Sequence, residues 1–264
     1  MSSLPDAAPP AYAAPALDKG LDVLELLARD GAPMTQADIA RALGRSPGEL
    51  FRIMATLERR GYLWREPVSG AYRPTLRLLE LGQSHRPEDA LLRAAAAPMQ
   101  HLAAVTREAC HLSVLHRGSL LVLAQEEGSR RVRLSVAVGS TIDPLRSASG
   151  RMLLAIMPAD ERMAALAADP AWLAMTREDR AAALDRLESI RARGHEAAHA
   201  ETVAGVSDLA APVGSAATRV RAALAGAALP RDHAAWAAGM LPHLAEAAAA
   251  ITVAAGLSAP ARSP

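Results

Sequence analysis

The stretch TQADIARALGRSPGELFRIMATLERRGYL, residues 35–63, decides the fold of the N-terminal third of the chain. Thr35 with Asp38 three residues later has the spacing of a capping box, which predicts the start of a helix. Ser46 followed by Pro47 has the pattern of a second helix start, because proline fits the first helical turn. Two helices separated by so short a turn are typical of a helix-turn-helix.

The sequence on either side extends this motif. Leucines at helical spacing from Leu17 onward predict a helix before it. After it, residues 62–65 and 71–73 flank the turn-rich EPVSG, which is typical of a β-hairpin. We therefore predict a winged helix-turn-helix over residues 17–78. Its third helix has the width to enter the major groove of DNA.

Charge is concentrated in the same region. Between Arg41 and Arg77 there are eight arginines and three glutamates, whereas residues 87–264 carry 18 basic and 18 acidic side chains. A basic patch on a winged helix-turn-helix favours nucleic-acid binding, although a basic patch alone is more often a solvated surface.

Candidate DNA-binding residues follow from the predicted third helix and hairpin. Arg52 is the expected base reader, because a guanidinium can donate two hydrogen bonds to one guanine. Glu49 fits a structural role at the helix start better than it fits a cytosine contact, and Phe51 fits packing better than it fits a thymine contact. Arg59, Arg65 and Arg73 are expected to meet phosphates. The full set is Arg45, Pro47, Gly48, Glu49, Arg52, Thr56, Arg59, Arg65 and Arg73.

Composition sets the outer limits. The chain has 264 residues, of which 51% are hydrophobic, and a net charge of +1, which argues against a strongly basic nucleic-acid coat protein. Cys110 is the single cysteine, which fits a reducing compartment. No uncharged apolar run approaches the ~18 residues of a membrane span, and the N-terminus lacks the pattern of a secretory signal. These features predict a cytoplasmic protein that does not enter membranes.

The rest of the chain alternates strand and helix patterns. Residues 91–106 predict a long amphipathic helix, and residues 111–118, 119–128 and 131–139 predict strands. Three helical patterns follow, then a second hairpin joined at Gly214, and a closing helix. This order indicates an α+β fold.

One motif suggests an enzyme. His195-Glu196-Ala197-Ala198-His199 matches HExxH, in which two histidines on a helix share a zinc ion. However, Gly194 predicts that the preceding helix ends just before this segment, and in a strand the two histidines would lie too far apart. We therefore expect no metal, no cofactor and no catalysis, and we expect Glu196 to be replaceable by glutamine. A metal-dependent hydrolase using residues 195–199 is the alternative.

The sequence resembles the IclR family of bacterial transcriptional regulators. The resemblance is carried by KGLDVLELLARDG, the stretch at residues 35–63, YRPTLRLLELG, AVGSTIDPLRSASGRMLLA, RARGHE and GVSDLAAPV, in that order. It implies a winged helix, a linker helix and a GAF-like α/β effector-binding domain with an antiparallel sheet. It also implies homodimers, or homotetramers, on double-stranded operator DNA. The implied division is an arm at 1–16, the winged helix at 17–78, a linker at 79–106, the effector domain at 107–257 and a tail at 258–264.

The resemblance also implies an effector cavity. Its residues are Leu134, Ile142, Ser147, Ala148, Ser149, Val206, Asp208, Ala225 and Ala227. Alanines at 198, 225 and 227 replace polar family positions, which disfavours glyoxylate- or pyruvate-like ligands. Asp208 would further disfavour an anion unless Arg131, Arg146 or Arg151 compensates its charge.

We therefore expect a transcriptional regulator, a repressor rather than an activator, that responds to an aromatic or medium-chain effector. A winged-helix scaffold that binds only proteins is a third alternative.

Overall fold

The chain forms two compact units, Met1–Arg86 and Pro87–Pro264. The computed structural model describes residues 14–83, 88–201, 203–218, 220–230 and 232–257. The expected tail and most of the expected N-terminal arm lie outside the described residues. The end of that arm differs from expectation, because the first helix already begins at Pro15. The boundary between the units falls inside the segment predicted as a linker.

The N-terminal unit is a winged helix-turn-helix, as predicted. Its elements are α1 (Pro15–Asp30), α2 (Gln36–Ala42), α3 (Pro47–Arg59), β1 (Leu63–Arg65), β2 (Tyr72–Pro74) and α4 (Arg77–Gln83). Strands β1 and β2 pair antiparallel, and Met34 forms a further bridge to Tyr72. Leu27, Ile39, Leu50 and Met54 fill the core between the three helices. The hairpin is thereby fixed to the same core as α3.

Two side-chain caps define the starts of α2 and α3. The Thr35 hydroxyl accepts from the Asp38 amide at 3.3 Å, and the Asp38 carboxylate accepts from the Thr35 amide, so the predicted capping box is confirmed. The Ser46 hydroxyl accepts from the Glu49 amide at 3.3 Å. The Glu49 carboxylate pairs with Lys19. The start of α3 is therefore tied to α1.

The C-terminal unit is a six-stranded antiparallel sheet covered by helices on both faces. Its elements are α5 (Glu88–Thr106), β3 (Ala109–His116), β4 (Ser119–Glu126), β5 (Thr141–Ile142), α6 (Ala148–Ile156), α7 (Ala159–Ala167), α8 (Pro170–Ala174), α9 (Arg177–Arg193), β6 (Glu196–His199), β7 (Ser207–Val213), β8 (Ala222–Ala228) and α10 (His233–Ala254). The strand order is β5-β4-β3-β8-β7-β6. The predicted α+β architecture is confirmed.

The two sheet faces pack against different helices because neighbouring strand residues point in opposite directions. Cys110 lies on the side of α5, where its thiol contacts the Met99 carbonyl oxygen at 3.6 Å. His111, the next residue, lies on the side of α6 and contacts Ser149. The two residues cannot form a thiol–imidazole pair, as the sequence predicted.

The strand predicted over residues 131–139 is wrong. This segment has no strand backbone, and Val132 and Val138 are 71% and 61% exposed. Its alternation of polar and apolar residues is strand-like, but side chains hold it beside β4. The Gln125 side-chain oxygen accepts from the Val136 amide at 2.7 Å, and no continuous backbone ladder forms. On the side of β4 that faces away from β3, strand pairing is formed by the two residues of β5.

The closing helix α10 is long and apolar enough, by length and composition, to cross a membrane, and no other helix of the described chain is. Its composition has a simpler cause. Met240, Leu244 and Ile251 are buried in the core cluster shared with α5 and β7. A core helix of this kind passes the same test of hydropathy, so α10 is no evidence for a membrane span.

We predict that Gly150→Ala destabilises the C-terminal unit by about 2–3 kcal/mol. A β-carbon at Gly150 would overlap the backbone of Pro144, which cannot move away like a flexible side chain. The matched control is Gly239→Ala in α10, where no atom lies within 4 Å of the new carbon. The control is expected to gain about 0.5–1 kcal/mol of helix stability. Urea unfolding of the two variants measures the difference, and equal stabilities would contradict the close packing of α6.

Candidate functional sites

The exposed side of α3 carries two free cations. Leu50 and Met54 face the core, and Arg52 and Arg59 lie on the opposite, exposed side of the helix. Neither guanidinium forms an ion pair or hydrogen bond with a residue that the structure describes. Both are therefore available to an anionic partner.

Arg45 and Glu49 are held by other side chains. Arg45 donates to Asp22 at 3.0 Å and approaches Glu49 at 3.4 Å. The Lys19 ammonium lies 2.5 Å from the Glu49 carboxylate, and this hydrogen bond is the main cause that lowers the Glu49 pKa. Glu49 thus has the structural role that the sequence favoured, chiefly through Lys19. The charge of Arg45 is already compensated within the unit.

The hairpin presents two further arginines. Arg65 lies over the ring of Tyr72 at 5.6 Å, and Arg73 lies over the ring of Trp64 at 4.5 Å. Both side chains are exposed. Stacking on aromatic rings orients these guanidinium groups without neutralising them.

The remaining candidates on α3 are placed less uniformly. Pro47 and Gly48 are exposed in the first turn. The Thr56 hydroxyl donates to the Arg52 carbonyl oxygen at 2.8 Å, so it is already bonded to its own helix. The interpretation of Phe51 as a packing residue is wrong, because its side chain is 61% exposed. A phenylalanine on a charged helix surface lacks the burial that packing requires.

The C-terminal unit contains a cavity of about 170 Å³ between the sheet, α6 and the segment after β4. Its lining is His111, Leu134, Ser135, Val136, Ile142, Ser147, Ala148, Ser149, Val203, Val206, Asp208 and Ala227. All the predicted cavity residues are there except Ala225. That side chain is 1% exposed and lies in the core cluster with Ala210 and Ala223.

The sequence analysis missed four of the lining residues: His111, Ser135, Val136 and Val203. The Nε2 atom of His111 lies 3.2 Å from the Ser149 hydroxyl, and burial lowers the pKa of His111 to about 4. The imidazole is therefore neutral at physiological pH. Strand alternation over β3 places His111 on the opposite face from Cys110, but it does not predict the contact with Ser149.

Asp208 is the charged group of the cavity. Burial raises its pKa to about 6; Glu201 adds to the increase and Arg151 opposes it. No described residue donates a hydrogen bond to its carboxylate. None of the three arginines considered as compensating cations lines the cavity among the described residues. A ligand with a hydrogen-bond donor would supply the missing partner.

The HEAAH segment has a structural role. Gly194 ends α9 in the left-handed conformation with φ 74°, and residues 196–199 then form β6, as the sequence argument required. The Glu196 carboxylate is buried and accepts from Arg151 at 2.8 Å, Arg186 at 2.6 Å and Arg193 at 3.1 Å. These bonds join α6, α9 and β6. The expectation that Glu196 is replaceable therefore conflicts with its contacts.

We predict that Glu196→Gln costs about 3 kcal/mol of stability, because it removes a buried charge from three arginines. Arg151, whose side chain is only 6% exposed, would keep the Glu201 carboxylate and the Leu145 carbonyl oxygen as partners. Glu178→Gln, in an exposed position on α9, is the control and should change stability little. Unfolding in urea compares the two. A Glu196 variant as stable as the wild type would contradict this role, and one zinc ion bound per chain would instead support the hydrolase alternative.

Comparisons with known proteins give one family match in each of the two units. Residues 16–67 match the IclR helix-turn-helix domain, and residues 88–252 match the family described as bacterial transcriptional regulator IclR C-terminal. The chain is 34% identical over 202 residues to the glycerol operon regulatory protein of Streptomyces griseus, covering 75% of this chain and 78% of that protein. It is 30% identical over 200 residues to the transcriptional regulator BhcR of Paracoccus denitrificans, covering 75% and 71%.

Solved structures share the architecture. A crystal structure of an IclR homologue from Microbacterium hydrocarbonoxydans, complexed with 4-hydroxybenzoate, matches with a TM-score of 0.78 and 25% identity, covering 92% of this chain and all of that one. The two family matches together cover both units and most of the chain. The protein therefore belongs to the IclR family of bacterial transcriptional regulators.

Proposed function

We propose that this regulator reads operator DNA with α3 and the β1–β2 hairpin, and that a small aromatic effector in the α6 cavity controls it. The observation that carries the first part is the set of unpaired, exposed arginines on these two elements. The observation that carries the second part is an apolar cavity with one unpartnered carboxylate, Asp208.

Sequence reading falls to Arg52 in this proposal. It lies on the exposed side of α3 without an ion-pair partner among the described residues, so it can donate two bonds to one guanine. Arg59, Arg65 and Arg73 contribute affinity through phosphates, which carry no sequence information. Arg45 orients α3 through Asp22 and Glu49.

We predict that Arg52→Ala weakens binding to a selected operator duplex by about 1–3 kcal/mol and leaves binding to unrelated duplex DNA nearly unchanged. Arg59→Ala is the matched variant on the same helix side. This variant should weaken binding to both duplexes equally, and it should lower the slope of log affinity against log salt concentration by about one, the value of one phosphate contact. Fluorescence anisotropy at several salt concentrations measures both. Equal losses on both DNAs for Arg52→Ala would make it a phosphate contact.

The size of the cavity favours a single ring. An apolar cavity of about 150 Å³ accommodates a benzene molecule, so a cavity of about 170 Å³ fits one aromatic ring or an aliphatic body of that size. Ala227 and Leu134 give the ring an apolar surface. The hydroxyls of Ser147 and Ser149, at the start of α6, lie where a second polar group of the ligand would be bound.

Asp208 sets the expected chemistry of the ligand. Its ionised carboxylate would accept a hydrogen bond from a hydroxyl or amine and would repel a carboxylate. The 4-hydroxybenzoate bound by the Microbacterium homologue combines one ring with a hydroxyl and a carboxylate. The ring and the hydroxyl fit the cavity of this chain, whereas a carboxylate beside Asp208 does not, so we propose a hydroxylated aromatic without a carboxylate next to Asp208. Two- and three-carbon acids lack the apolar body that this cavity would bury.

We predict that the affinity for a hydroxylated aromatic falls as the pH drops below about 6. Protonation of Asp208 replaces a charged acceptor by a neutral carboxyl group, which accepts a weaker hydrogen bond, so the loss approaches tenfold per pH unit at most. Asp208→Asn should bind more weakly at pH 7.5 and should lose this pH dependence. Calorimetry with a panel of hydroxylated aromatics, glyoxylate and pyruvate measures both effects. An affinity that rises on acidification would contradict the proposal, because it would mean that protonated Asp208 donates a hydrogen bond to the ligand.

Control of transcription would arise from different effector affinities of DNA-competent and DNA-incompetent states. We propose a cytoplasmic repressor that binds a palindromic operator as a homodimer or homotetramer, without catalysis. A repressor needs no surface for contact with RNA polymerase, because a protein bound to the operator excludes the polymerase from that DNA. A winged-helix scaffold that binds only proteins would select no DNA sequence, so operator selection separates the two functions.

A further inference from the structure

The one phenylalanine of the chain lies exposed on the helix that faces DNA. Phe51 is the fifth residue of α3 and is 61% exposed, whereas its neighbour Leu50 is fully buried. Arg52 follows it directly. Singly exposed apolar side chains are common on protein surfaces, so exposure alone assigns no role to Phe51. Its position does, because it lies in the N-terminal half of α3, next to Arg52, which forms no ion pair with a described residue.

The apolar groove of the same unit gives Phe51 no other role. This groove is lined mainly by residues of α1, α3 and α4 and by Tyr62; the lining includes Leu21, Ile53, Leu81 and also Arg52. Phe51 is not part of its lining. At 100° per residue, Phe51 points away from Ile53 by about 160° around α3. A partner seated in the groove would therefore leave Phe51 exposed.

We propose that Phe51 is a second base-reading residue, and that it recognises the C5-methyl group of thymine in the major groove. The proposal rests on the proposed DNA-binding function and deepens it. Phenylalanine has no hydrogen-bond donor or acceptor, so it distinguishes base pairs in the major groove by their one apolar group. Arg52, next to it, reads guanine by hydrogen bonds.

The neighbouring side chains leave this contact open. The Glu49 carboxylate, two residues before Phe51, is bound to Lys19 and Arg45 rather than extended toward bases. The Thr56 hydroxyl is bonded to the helix backbone. In the N-terminal half of α3, Phe51 and Arg52 are therefore two adjacent exposed side chains that form no hydrogen bond or ion pair with a described residue.

The test removes the methyl group without changing base pairing. Wild-type protein first selects a consensus duplex from a random-sequence library, and each thymine of that duplex is then replaced singly by deoxyuridine. At one thymine per half-site, the substitution should weaken wild-type binding by about fourfold, the value of one buried methyl group. Phe51→Ala should bind the thymine duplex about as weakly and should be insensitive to deoxyuridine at that position.

Two controls separate this contact from other effects. Phe51→Leu keeps an apolar side chain and should keep part of the sensitivity to deoxyuridine. Leu173→Ala, which truncates a side chain that is 59% exposed in the C-terminal unit, should bind like the wild type. Thermal melting checks that each variant is folded.

Three results would overturn the proposal. Phe51→Ala could keep the full sensitivity to deoxyuridine, or lose affinity equally for every duplex, or change the oligomeric state in sedimentation, which would assign Phe51 to a contact between copies. If the wild type selects no duplex at all, the DNA-binding function itself fails. That result is distinct from a failure of Phe51 alone.

Discussion

The buried carboxylate of Glu196 is the interaction on which the C-terminal unit depends. An isolated charge in this position would be costly, since burial without partners removes its hydration. Arg151, Arg186 and Arg193 supply hydrogen bonds from α6 and α9, so the first residue of β6 fixes the position of two helices. Because α6 opens with the serines of the cavity, the ion-pair network also fixes one wall of the ligand site.

The same network explains the unusual state of Asp208. Arg151, Arg186 and Arg193 donate hydrogen bonds to Glu196, and Arg186 also donates to Glu201. Arg151 reaches Glu201 as well, at 2.9 Å. Asp208 is close enough for Arg151 to oppose the rise in its pKa but receives no hydrogen bond from a described residue. A hydrogen-bond donor on a ligand in the cavity would supply a partner for this carboxylate.

Local signals predicted the elements whose ends are set by their own residues. The Thr35–Asp38 box and the glycine at 194 act within a few residues, so the sequence predicted them correctly. The segment 131–139 was misjudged because its alternation matches a strand, and what decides its backbone is a tether from Gln125 in another element. The role of His111 depends on a contact with Ser149, 38 residues away, and no local pattern reports such a contact.

Exposure is a second property that periodicity predicts poorly. The sequence favoured a packing role for Phe51, although its side chain is rotated by 100° around α3 from that of the buried Leu50. Applying that angle to Leu50 and Phe51 would have placed Phe51 outside the core. The family resemblance predicted which elements line the cavity. It could not predict that Asp208 lines the cavity or that Ala225 is buried in the core and does not.

Charge counting from the sequence overstates the charge available to DNA. Arg41 pairs with Asp38 at 3.0 Å, Arg45 pairs with Asp22, and Arg77 pairs with Glu80 at 2.9 Å. The charge of each of these arginines is partly compensated within the unit. The arginines of the basic region that form no ion pair with a described residue are Arg52, Arg59, Arg60, Arg65 and Arg73. They lie on or directly after α3 and on the hairpin, which are the two elements that a winged helix-turn-helix presents to a duplex. The fold thus turns a diffuse basic region into a directed one.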